Sequence, residues 1–135
     1  MSTRTFLAFG NEQSKIEAIG AAYTVKSADH GKVFTLVTAG TDGAAVTLPA
    51  PQAGLRFRFV TGAAFATTAW TIVATGAIVR GSVIVDGAAV PAADITTITF
   101  AAAAETIGDF VEITSDGTSW FLEGVAEAAG GITVA

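Results

Sequence analysis

The chain has no cysteine, one methionine, one histidine and three prolines in 135 residues. The lack of cysteine excludes a disulfide framework and any thiolate-held metal centre. Charge is also scarce. Asp, Glu, Lys and Arg together make up 14% of the chain, against roughly 25% in an ordinary globular protein. Acidic residues outnumber basic ones twelve to seven, for a formal net charge of −5. The sequence therefore offers no basic patch of the kind that displaces counterions from nucleic acid. No apolar run reaches the ~18 residues of a membrane span. The opening MSTRTFLAFGNEQSK has neither the apolar core nor the small-residue cleavage site of a signal peptide.

What remains is rich in small and apolar residues: 51% are hydrophobic, with 15 glycines. The length suits one domain with a real core. A monomer so poor in charge would leave much weakly polar surface in water, so burial against other subunits is expected.

The most informative run is VEITSDGTSWFLEGV, residues 111–125. Two alternating segments flank Asp116-Gly117, a pair that readily takes the positive φ of a tight hairpin turn. Alternation places Val111, Ile113 and Phe121 on a different face from Glu112, Thr114 and Glu123. Asp42-Gly43 and Asp86-Gly87 repeat the turn signal.

Upstream, strands are predicted at 23–26, 32–38, 45–48, 55–60, 70–74, 78–85 and 95–100. The run LRFRFV is the cleanest, with Leu55, Phe57 and Phe59 inward and Arg56 and Arg58 outward. Pro49-Ala50-Pro51 stops a strand. The Ala-rich stretches 88–94 and 101–106 read as loops, because Pro91 interrupts the first and the second is too short for an unaided helix. With the hairpin this makes about nine strands at spacings of roughly 8–12 residues, the mark of a sandwich or barrel. The predicted fold is all-β: an antiparallel β-sandwich or barrel, jelly-roll-like, spanning 21–126. An extended N-terminal arm occupies 1–20, with a helical turn around 12–19, and a tail occupies 127–135. In the arm, Phe6, Leu7 and Phe9 form an apolar cluster suited to docking, and Arg4 can pair with an acidic partner.

The residues that could carry chemistry do not assemble into a catalytic set. Ser27, Asp29 and His30 share one turn, where neighbours rarely reach the geometry of a triad. Asp109 with Glu112, and Asp116 with Glu123, are close in sequence, but no cleft is evident to give two carboxylates a fixed separation around a sugar. Asp42, Asp86 and Asp116 precede glycines as turn residues, and none lies in an Asp-x-Asp-x-Asp-Gly calcium loop. The glycines are dispersed at strand ends and form no phosphate-binding loop. Trp70 and Trp120 read as core or interface residues, with sugar stacking as the alternative. Neither a catalytic residue nor a cofactor or metal ligand is predicted.

In order along roughly 23–125, the strings HGKVFTLV, VTLP, AGLRFRFV, TTAWTIVA and SDGTSWFLEG resemble small virion proteins of tailed bacteriophages, capsid decoration (cement) proteins in particular. Similar strings occur in phage tail and fibre proteins. The resemblance implies a β-rich, often trimeric, non-enzymatic protein that clamps neighbouring major-capsid subunits on the outer surface of the virion after assembly in the host cytoplasm. The implied partners are the major capsid protein and further copies of the chain, with no nucleic acid and no membrane. The alternative is a tail-fibre or tail-tip module that binds a host receptor or glycan. The resemblance fixes no contact residue; the candidates from the sequence are Arg4, Phe6, Leu7, Phe9, Arg56 and Arg58.

Overall fold

The computed structural model describes residues 15–38, 44–65 and 67–135. The docking candidates Arg4, Phe6, Leu7 and Phe9 and the Asp42-Gly43 turn lie outside them. Within them the chain is all-β, with strands β1 (Ile16–Ile19), β2 (Tyr23–Thr24), β3 (Val33–Leu36), β4 (Ala44–Thr47), β5 (Arg56–Thr61), β6 (Trp70–Val73), β7 (Val79–Val85), β8 (Ala88–Ile95), β9 (Thr97–Phe100), β10 (Phe110–Ser115), β11 (Trp120–Ala126) and β12 (Ile132–Val134). They form a seven-stranded sheet, β1-β3-β5-β10-β11-β7-β8, and a five-stranded sheet, β12-β9-β6-β4-β2. The two pack as a sandwich around one core and do not close into a barrel.

The sheets are mixed, which corrects the antiparallel expectation. The first six strands alternate between sheets, so β1, β3 and β5 run parallel in one and β2, β4 and β6 run parallel in the other. The later strands add antiparallel pairs: β5 with β10, β10 with β11, β7 with β8, β6 with β9 and β9 with β12. The remaining pair, β11 with β7, is parallel.

Three strands were not expected. Residues 16–19, assigned to the arm and its helical turn, form β1 on the edge of the larger sheet. Residues 132–134, assigned to the tail, form β12 on the edge of the smaller one. The stretch read as a loop at 88–94 is β8, also an edge strand, where a proline can be accommodated because one side of the ladder has no partner. The other Ala-rich stretch, 101–106, is a loop as expected.

The core follows from period-two alternation on both sheets. Phe34, Leu36, Phe57, Phe59, Val111, Ile113, Trp120 and Leu122 point in from the larger sheet, and Val46, Trp70, Ile72, Ile98, Phe100 and Ile132 from the smaller. Phe34 stacks on Phe59 at 5.3 Å, and Phe57 meets Trp120 at 6.0 Å. The Trp70 indole N–H donates to the Val37 carbonyl at 2.8 Å.

Candidate docking surface

The outer face of the seven-stranded sheet is built by register. One row across adjacent strands reads Val60, Phe110, Val125, Ile84 and Ala89. It is apolar throughout, with Val125 44% and Ile84 40% exposed. The next row reads Arg58, Glu112, Glu123 and Ser82, and the third Arg56, Thr114, Phe121 and Arg80. Phe121 is 46% exposed.

Arg56 and Arg58 both point outward, as the alternation of LRFRFV predicts, while Phe57 and Phe59 are fully buried. Arg58 lies over the Phe110 ring, 3.9 Å from its centroid, and its guanidinium is 3.7 Å from the Glu112 carboxylate. The cation therefore covers part of the apolar row and is tethered beside it, an arrangement suited to desolvation. Arg80 pairs with Asp94 at 2.5 Å. The sequence reading missed this surface at Phe121, placed inward there. Trp120 is the buried residue, and strict alternation then sends Phe121 out beside Glu123. Ile84 and Val125 could have been found only from the cross-strand register.

Seven strands ~4.8 Å apart, averaging about six residues at ~3.3 Å rise, give this face a footprint of roughly 600 Å². That approaches the ~800 Å² per partner of a standard stable interface. The outer face of the smaller sheet differs. Its rows are Thr24, Thr47, Val73, Thr97 and Ala45, Thr71, Thr99, Thr133, with no charged side chain in either.

Several other polar groups serve local structure. The Asp29 carboxylate accepts from the Tyr23 hydroxyl and the Lys26 backbone N–H, each at 3.0 Å, and pairs with Lys32 at 3.1 Å. Lys32 also pairs with Glu17 at 2.7 Å, and these two carboxylates hold its ammonium above the ordinary range. Asp29 therefore does not orient His30, whose Nδ1 accepts the Arg56 backbone N–H at 3.2 Å. The buried Asp109 accepts from the Thr106 and Glu127 backbone N–H groups, whereas Glu112 faces out with Arg58, so these two carboxylates are not a facing pair. Asp116 caps its own loop through the Thr118 and Ser119 N–H groups, which hold its carboxyl below the usual range. Both tryptophans are fully buried, so neither is a stacking platform. Among the described residues no group of three or more His, Asp or Glu side chains could hold a metal ion. No helix of the described residues is long and apolar enough to cross a membrane.

No family model, curated protein or solved structure matches this chain.

Proposed function

We propose that this protein is a non-enzymatic virion component that binds the outer surface of a bacteriophage capsid and strengthens it by bridging major-capsid subunits. The observation that carries the reading is the outer face of the seven-stranded sheet. An apolar row, Val60–Phe110–Val125–Ile84, is bordered by Arg58, Glu112 and Glu123 on a footprint close to interface size. An apolar centre with a polar rim is the usual anatomy of a protein–protein contact. The sequence resemblance to decoration proteins supports the same conclusion, and burial of both tryptophans favours it over glycan stacking.

The mechanism is mechanical. At about 25 cal/mol per Å², a largely apolar ~800 Å² contact has a gross worth of many kcal/mol, from which ordering and rigid-body entropy subtract. Repetition across a shell multiplies the surplus. The proposal includes a homotrimer, for which the low charge content and the charge-free threonine face are the support.

Two measurements test it. Imaging of virions with and without the protein should show added density on the capsid exterior, and Phe121→Asp or Val125→Asp should abolish that density while leaving the thermal melt unchanged. Density on the tail instead of the capsid overturns the reading. Sedimentation at micromolar concentration should give a trimer, and a strictly monomeric species would remove that part.

A further inference from the structure

At one end of the seven-stranded sheet the turns at 27–31 and 52–55 and strand β10 enclose an open hollow of about 480 Å³, lined by His30, Gly31, Gly54, Arg56 and Thr114. The 27–31 turn grips Arg56 by its backbone. Gly31 N–H donates to the Arg56 carbonyl at 2.9 Å, and Arg56 N–H donates to His30 Nδ1 at 3.2 Å. With Nδ1 an acceptor, the neutral imidazole carries its proton on Nε2 and presents a donor. Gly31 and Gly54 have φ of +82° and +89°, and a Cβ at either would meet nothing within 4 Å, so both leave the hollow open.

The decisive feature is the charge pairing. Arg58, Arg80 and Lys32 each have a carboxylate partner. Among the described residues Arg56, Lys15 and Lys26 have none, and of these three only Arg56 lines the hollow. A chain with net charge −5 thus keeps an unpaired cation in a hollow whose other polar side chains, His30 and Thr114, can both donate.

We infer that this hollow is a receptor for a carboxylate presented by an acidic side chain of a protein partner. The planar fork of Arg56 matches a carboxylate in bidentate fashion, with the His30 Nε2–H and the Thr114 hydroxyl as further donors. Thr114 also borders a second, smaller hollow lined by Glu112, Phe121, Leu122 and Glu123. The apolar stem of a bound side chain would therefore continue toward Phe121 and the docking face. This continuity favours a protein carboxylate over a sugar acid, and in this respect the inference rests on the docking reading above.

The test uses the isolated protein, labelled for NMR, titrated separately with N-acetyl-glutamate amide, a methyl sialoside and inorganic phosphate. The glutamate probe should give saturable shifts at the Arg56 Nε–H and the His30 ring. Arg56→Gln should weaken that binding about tenfold or more, the order that one charge-assisted contact carries, with the rest of the amide spectrum unchanged. His30→Gln, which keeps a donor, should weaken it less. Absence of saturable shifts overturns the inference, as does equal binding by Arg56→Gln. Tighter binding of phosphate or the sialoside at the same residues overturns the protein source. Capsid density lost in Phe121→Asp but kept in Arg56→Gln would leave docking intact and remove the carboxylate receptor alone.

Discussion

Neighbours in β5 face opposite ways. Phe57 is fully buried against Trp120, and Arg56 lies in solvent. Phe57→Ala should cost about 3–5 kcal/mol, as truncation of a buried aromatic does, and Arg56→Ala less than about 0.5 kcal/mol in the isolated protein. Equal effects in denaturant melts would contradict the assigned faces. Asp29 makes a second prediction. Burial pushes its carboxyl up, but hydrogen bonds from the Lys26 N–H, Lys32 and Tyr23 outweigh this and hold it below the ordinary range. Its folded pKa is depressed, so its contribution is present above the unfolded value of about 3.9 and is lost as pH falls through the folded one. Asp29→Asn should destabilise by about 1–3 kcal/mol at neutral pH, and its gap to the native protein should narrow below about pH 4. Urea melts at the two pH values check this; a constant gap would contradict it. At this scale the sequence was readable wherever alternation was strict, as in LRFRFV. It was unreadable at Asp29, whose three partners meet it only through a 3-10 turn and the packing of β2 beside it.

Turn chemistry shows how far a local signal reaches at the level of elements. Asp86-Gly87 is the two-residue hairpin turn, with both residues at positive φ between the paired Val85 and Ala88. Asp116-Gly117 instead opens a four-residue loop between the paired Ser115 and Trp120, and the Asp116 carboxylate caps it. The dipeptide marked both reversals but not their lengths. The missed strands β1, β8 and β12 are all edges. Edge strands are held by one neighbour only, and Ala88–Ile95 has few β-branched residues to announce it. Two glycines are fixed by close approach. A Cβ on Gly124 would collide with the Phe110 carbonyl and Val111, and one on Gly81 with the Leu122 backbone. Gly124→Ala should therefore cost about 1–3 kcal/mol or more as overpacking, whereas Gly87→Ala, with open space around it, should cost only its positive-φ strain, about 1 kcal/mol. Thermal melts of the two variants should rank in that order; the reverse order would contradict the central placement of β11.

For the whole molecule, two packed β layers could be inferred from strand spacing and turn signals, but which strands pair could not. Glu17 lies opposite Phe34 and Val46 opposite Ile72 across parallel ladders. Nothing local in the chain encodes such partners; they are selected by the global fit of two sheets. The docking face suffers the same limit. Val60, Phe110, Val125 and Ile84 are scattered in sequence and become one row only after register is set.

The alternation of β1 to β6 between layers also governs how the protein is made. No two consecutive strands among these six are hydrogen-bonded to each other, so the described residues of the amino-terminal half contain no hairpin from which to start. The consecutive ladders, β7–β8 and β10–β11, lie in the second half, and β10 caps β5 while β9 caps β6. Closing contacts across such separations is slow. During synthesis the first half should therefore stay unprotected, its parallel strands uncapped, until the later hairpins emerge. Stalled nascent chains ending near residue 75 should be readily digested by protease, and resistance should appear only once β11 has cleared the exit tunnel. Protection of the shorter chains would show that the parallel coil folds without its carboxy-terminal clasp.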